Sequence, residues 1–183
     1  MKPRWDYLIK PLGKEYNNTK KIAGESFVVN TSLEDATFVN RLGVVCAVPN
    51  GGQIPLDSIV VVHHNVFRTY LDMKGRKRKS NEYFRDEQYL VNPNRIYMYN
   101  EGDGWKTTEE YCFINPIDYI QDGDLYRSDK EKEEHVGIVK HGKIKNVLEG
   151  DLIAFTKNSE YEFNIDGEKI YRMKNNDICI KFN

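Results

Sequence analysis

Cysteine is scarce in this 183-residue chain: Cys46, Cys112 and Cys179 form an odd set with no Cys-x-x-Cys spacing. That excludes a disulfide framework or a cysteine zinc site and suits a reducing compartment. No apolar run approaches the ~18 to 20 residues that cross a bilayer as a helix. The opening MKPRWDYLIKPL spreads charge through what would have to be a signal-peptide core. No membrane partner is expected, and the expected location is cytoplasmic. A surplus of one charge is also missing: 27 Lys plus Arg face 28 Asp plus Glu, a net charge of -1. The chain therefore has no overall field to draw it to nucleic acid or to a lipid surface. With 13 Gly and 6 Pro it is not fibrous, and with 39% apolar residues it can build a core.

Helical periodicity is almost absent, and strand signals take its place. YLIKPL, RLGVVCAV, SIVVVHHNVF, RIYMY, EYCFINPI, DLIAF and DICIKF are short, β-branched or aromatic, and many alternate polar with apolar. Turn chemistry separates them, as in Pro49-Asn50-Gly51-Gly52, Lys74-Gly75, Asn92-Pro93-Asn94 and Asp166-Gly167. An all-β barrel or sandwich is the expected architecture, and the length fits one ordinary domain or two small ones.

The chain also repeats itself. Leu8-Ile9-Lys10-Pro11-Leu12 matches Phe113-Ile114-Asn115-Pro116-Ile117, an apolar strand stopped by proline in both. Gly43-Val44-Val45 matches Gly137-Ile138-Val139, and without a gap Asp57 to Val61 then matches Asp151 to Phe155. Tyr89 to Met98 matches Tyr171 to Ile180. The boundary is expected near Asn100 to Gly104, giving domains 1-101 and 102-183, the first with surplus basic and the second with surplus acidic residues.

Residues 149 to 180, EGDLIAFTKNSEYEFNIDGEKIYRMKNNDICI, resemble the second half of a GroES-family co-chaperonin: Gly-Asp, an alternating strand, a hairpin with an acidic-Gly turn, a Tyr-x-Met strand and a closing Asp-Ile-x-Ile strand. LIKPL and GVVCAVPNGG of the first copy are similar to the same template. The resemblance covers nearly the whole chain as two tandem copies. It implies two GroES-like Greek-key β-barrels, self-association into a ring, and capping of an ATP-bound, GroEL-like chaperonin ring by a loop whose apolar tripeptide docks on the partner. That loop corresponds to residues 13-40, where Ala23-Gly24 precedes Phe27-Val28-Val29. The implied chaperonin-binding residues are Ala23, Gly24, Phe27, Val28 and Val29. A phage origin is compatible with the Asn-, Lys- and Tyr-rich composition.

The loop residues support that role on their own terms. Gly13 to Lys21 and Thr31 to Asp35 are polar, with one apolar triplet between them. Such a segment can order on a partner, at a cost that lowers affinity per site and that a ring recovers through effective concentration. The other reading makes Phe27-Val28-Val29 a barrel strand paired with Thr37-Phe38-Val39. In the second copy the corresponding stretch, DYIQDGDLYRSDKEKEEH, has no apolar triplet. The first copy also has Leu56-Asp57 where Gly-Asp is expected.

The remaining motifs point away from chemistry. Lys74-Gly75-Arg76-Lys77-Arg78-Lys79 invites a nucleic-acid reading but lies between two strand patterns, as a solvated hairpin tip would. His63 and His64 would face opposite ways in a strand, with no carboxylate or Cys at ligand or triad spacing. Gly102-Asp103-Gly104 opens no nucleotide-binding helix. No enzyme, metal or cofactor is expected. The reading from sequence is a co-chaperonin; the alternative is a non-catalytic structural or assembly protein, for example a viral ring or particle component.

Overall fold

The computed structural model describes residues 2-16, 19-22, 24-28, 38-118 and 132-182. The chain forms two compact units, Met1-Trp105 and Lys106-Asn183. All of its sheets are antiparallel, and among the described residues there is no α-helix. Among the described residues no helix is long and apolar enough to cross a membrane.

In the first unit the frame is built from β1 (Tyr7–Pro11), β4 (Leu42–Ala47), β5 (Ile59–Val62), β8 (Tyr83–Arg85), β9 (Gln88–Val91) and β10 (Ile96–Asn100). They lie in the order β10-β5-β4-β1-β9-β8. Two small hairpins stand outside this sheet: β2 (Thr19–Ile22) with β3 (Glu25–Val28), and β6 (Thr69–Leu71) with β7 (Lys77–Lys79). After β10, Asn100 Oδ1 accepts from the N–H groups of Gly102 (2.7 Å) and Gly104 (3.3 Å). This turns the chain back into β11 (Trp105–Thr107), beside β10, and the division between the units follows that bend.

The second unit is built from β12 (Tyr111–Asp118), β13 (Lys132–Gly142), β14 (Leu152–Phe155), β15 (Tyr161–Ile165), β16 (Glu168–Lys174) and β17 (Ile178–Lys181). Their order is β17-β14-β13-β12-β16-β15, the first unit's order strand for strand. The registers agree as well. Ile9 faces Val45 and Tyr89, as Ile114 faces Val139 and Tyr171. The ladder slips between Leu8 and Ile9 and again between Phe113 and Ile114. Ile96 and Met98 meet Val62 and Val61 across one irregularity, and Ile178 and Ile180 meet Phe155 and Ala154 across another.

Chain connectivity forces each sheet to curl. β9 and β10 sit four strand spacings apart in the order, about 19 Å if the sheet were flat. Val91 and Ile96 are joined by Asn92 and the 3-10 turn Pro93–Arg95, a link that could span at most about 18 Å fully extended and far less as a turn. β16 and β17 are joined by a similar turn, Asn175–Asp177. The consequence is an interior in each unit to which every frame strand except the β8 or β15 edge contributes. The first unit's core holds Tyr7, Ile9, Val45, Val60, Val62, Tyr89, Val91 and Ile96. The second unit's core is lined by their counterparts Cys112, Ile114, Val139, Ile153, Phe155, Tyr171, Met173 and Ile178.

Two glycines are required by this packing. A Cβ on Gly43 would lie 2.5 Å from Ile9 Cγ2 and 2.9 Å from the Lys10 carbonyl oxygen. A Cβ on Gly137 would lie 2.4 Å from Ile114 Cδ1 and 3.0 Å from the Asn115 carbonyl oxygen. The same close approach of the first and second frame strands is thus made twice.

At one corner the structural correspondence departs from the gap-free match expected from sequence. Asp57 N–H donates to Val45 O (3.0 Å) and Gly150 N–H to Val139 O (2.7 Å), while Val45 N–H and Val139 N–H donate to Ser58 O and Asp151 O. Asp57 is therefore the counterpart of Gly150, and Ser58 that of Asp151. Both corners need a left-handed residue, at φ 64 for Asp57 and φ 93 for Gly150. Aspartate tolerates that conformation and glycine adopts it freely. The missing Gly-Asp of the first copy is present as Asp57-Ser58.

Cys112 gives a probe of the second core. Burial, with a smaller contribution from Asp177, pushes its thiol up to about 12. Its folded value lies above the ordinary 9.0, so the stability it lends is complete below pH 9 and is lost as pH rises towards 12. At pH 8, alkylation is expected at exposed Cys179 first, with Cys112 reacting only as fast as the second unit opens. Mass spectrometry of quenched time points checks the order; equal rates at Cys112 and Cys179 would contradict it.

Candidate functional site

The long insertion of the first unit begins after β1 and ends at β4, and polar side chains fix its base. Asn40, only 2% exposed, donates through Nδ2 to the carbonyl oxygens of Leu12 (2.8 Å) and Lys14 (2.9 Å). Its Oδ1 accepts from Leu42 N–H (2.9 Å), and its own N–H donates to Glu15 O (2.8 Å). Tyr16 and Val39 form a β-bridge just above. One side chain therefore ties together the chain entering the loop and the chain leaving it.

Two further contacts attach this base to the frame. Tyr16 OH donates to Thr69 O and accepts from Thr69 N–H, both at 3.0 Å. The Glu15 carboxylate pairs with Lys79 and accepts from Tyr89 OH at 2.7 Å. Burial, then the hydrogen bond to Glu15 and the Glu15 charge, raise the Tyr89 phenol far above its usual range, which keeps it a donor. The Tyr89 ring meets Phe67 and Tyr83 edge to face, at 5.0 and 5.5 Å.

From this stem rises the β2–β3 hairpin. Thr19, Lys20, Lys21 and Ile22 face Val28, Phe27, Ser26 and Glu25 in register. Gly24 is exposed in the connecting turn at φ +87, and a Cβ there would meet nothing within 4 Å. The register supplies the partner that the sequence leaves open: Phe27 and Val28 pair with Lys20 and Thr19, and Val39 bridges Tyr16 instead. Of the residues singled out for docking, Gly24, Phe27 and Val28 lie in this hairpin. Ala23 and Val29 lie outside the described residues, as does Thr37.

The basic run forms the β6–β7 hairpin, whose tip is organised by Asp72. Its Oδ1 accepts from the N–H groups of Lys74 and Arg76 (2.9 Å each), and its Oδ2 from Nε of Arg76 (3.0 Å) and Arg78 (3.2 Å). These bonds, the Arg76 N–H foremost, hold its carboxyl below the usual range. His63 and His64 fall just past β5, where their rings stack at 4.1 Å rather than facing opposite ways. Among the described residues no group of three or more His, Cys, Asp or Glu is placed to hold a metal ion.

A second surface feature belongs to the other unit. Ile138 faces Leu152 and Ala154 faces Ile180, while Phe182 N–H donates to Leu152 O (3.0 Å). On this one face Ile138, Leu152, Ile180 and Phe182 are 40%, 37%, 53% and 43% exposed. The first unit's counterparts of Ala154 and Ile180, Val61 and Met98, are fully buried. Among the described residues of the second unit, β17 is also the last strand of its sheet.

No protein-family model matches the chain, and no curated protein matches it.

The stem is not visible in the sequence. Glu15, Tyr16 and Asn40 are polar residues beside a polar loop and look solvated, and nothing in their spacing says that Asn40 is buried.

Proposed function

We propose that the chain is a co-chaperonin of the GroES kind: two tandem GroES-like Greek-key barrels that self-associate into a ring, cap an ATP-bound chaperonin ring in the cytoplasm and assist protein folding, without catalysis or a cofactor. The observation that carries this reading is the β2–β3 hairpin, a two-stranded sheet separate from the frame and mounted on a fixed stem. The repeated strand order and the curl imposed by the short β9–β10 and β16–β17 links support the barrel assignment. Phe27 and Val28 would supply the apolar contact, and a ring would multiply a weak site into useful affinity.

The test is association of the purified protein with a chaperonin, with and without ATP, for the unaltered chain and Phe27→Asp. ATP-dependent binding that the substitution lowers at least tenfold is expected. Absence of ATP-dependent binding, or binding that Phe27→Asp leaves unchanged, would refute the proposal.

The exposed apolar face of Ile138, Leu152, Ile180 and Phe182 favours a second reading, a structural or assembly protein that keeps self-association and has no chaperonin partner. Limited trypsin digestion of the assembled protein separates the two. Docking predicts rapid cutting at Lys20 and Lys21 that bound chaperonin suppresses; a purely structural ring predicts protection there throughout.

A further inference from the structure

The first unit has a surface pocket lined by Asn65, Arg68, Tyr70, Ser80, Asn81, Glu82 and Arg95. It lies on the side of the frame where the chain leaves β5, runs into β6 and returns between β7 and β8. Its charges do not cancel. Glu82 is held by Arg95, and Ser80 Oγ is used in donating to Val66 O at 2.6 Å. Arg68 has no carboxylate partner among the described residues, and its Nε is buried without a hydrogen bond. Asn65 Oδ1 is buried in the same condition, although Asn65 N–H is satisfied by His63 Nδ1 at 3.1 Å.

A buried guanidinium N–H and a buried amide oxygen without partners are each costly, the more so where a charge is involved, and native structures rarely leave them so. Here the two orphans are of opposite kinds and belong to side chains that line one pocket, with Nε and Oδ1 themselves closed to solvent. Arg68 requires an oxyanion, and Asn65 requires a donor. A phosphate group carrying one proton meets both once the two side chains turn towards the pocket: its anionic oxygens accept from Arg68 while its P–OH donates to Asn65 Oδ1. Arg95 stands at the same pocket with its charge paired to Glu82, and the half-exposed Tyr70 ring at the wall offers a face to a base or other planar group.

We infer that this pocket binds a phosphate group, either free inorganic phosphate or the phosphate of a nucleotide, through Arg68 and Asn65. The inference does not depend on the chaperonin reading, because the pocket shares no residue with the β2–β3 hairpin.

The experiment is calorimetric titration of the full chain with inorganic phosphate and, separately, with AMP, at constant ionic strength held by chloride. Saturable binding is expected, weakened at least tenfold in Arg68→Gln and in Asn65→Asp, whose added carboxylate repels the anion. Arg85→Gln, an exposed cation outside the pocket, is expected to leave it unchanged. Tighter binding of AMP assigns the site to a nucleotide; equal affinities assign it to inorganic phosphate. Failure of the unaltered protein to bind either probe saturably overturns the inference without recourse to any variant. So does equal loss in Arg85→Gln, which would mark a diffuse charge effect. Circular dichroism of each variant checks that the fold persists.

Discussion

Asn40→Asp is expected to destabilise the first unit by about 3–5 kcal/mol, the usual cost of a buried charge left without a partner. The native amide points its two N–H bonds at the carbonyl oxygens of Leu12 and Lys14. A carboxylate in that position sets negative oxygen against two carbonyl oxygens, and at 2% exposure water cannot intervene. Asn40→Ala removes the same bonds without adding the charge, so a smaller loss of about 1–3 kcal/mol is expected. Urea denaturation followed by Trp5 or tyrosine fluorescence measures both. Equal effects of the two substitutions would show that repulsion is not the cause. Tryptic cleavage at Lys14 is expected to accelerate in both, because the stem that joins the ends of the insertion has been cut.

The second large effect is expected at Phe113→Ala, at about 3–5 kcal/mol in the second unit. Phe113 is fully buried, and its ring meets that of Phe163 edge to face at 5.7 Å and 76°. Truncation removes that pair and leaves a void against Phe163, itself 3% exposed, on a strand whose ladder cannot move closer without disturbing Cys112 and Ile114 on the other face. The readout is the alkylation rate of Cys112, which should rise in step with the fall in denaturation midpoint. A loss of stability under about 1 kcal/mol with unchanged labelling would mean that the site collapses without penalty.

The frame is readable because its residues obey the two-residue period of a half-buried strand. Ile9, Val45, Val60 and Tyr89 each have an apolar counterpart in the second unit, and Gly43 and Gly137 stand where only hydrogen fits. The corner at Asp57 misleads for a physical reason. Identity with Asp151 suggests equivalence, but backbone conformation decides the match, and Asp57 shares its left-handed φ with Gly150. The β2–β3 pairing is hidden because Lys20 and Lys21 look like solvated loop, and β-propensity alone does not choose a partner for Phe27. Asn65 and Arg68 cannot be grouped with Ser80 and Arg95 from spacing, since only the fold brings those segments to one pocket. The docking residues themselves rest on resemblance and on the apolar character of the triplet.

Pro11 faces Gly43 in the first unit, and Pro116 faces Gly137 in the second. The two insertions that follow these prolines differ in length and composition yet depart from and rejoin the same rung. Loop-closure entropy grows only slowly with length, about 0.6 kcal/mol for each doubling, so the difference in insertion length itself costs the rung little. Each half is in this sense a socket, and the chain between proline and glycine is a cassette. Transplanting residues 12-42 between Pro116 and Gly137 should yield a folded protein that carries the β2–β3 segment twice.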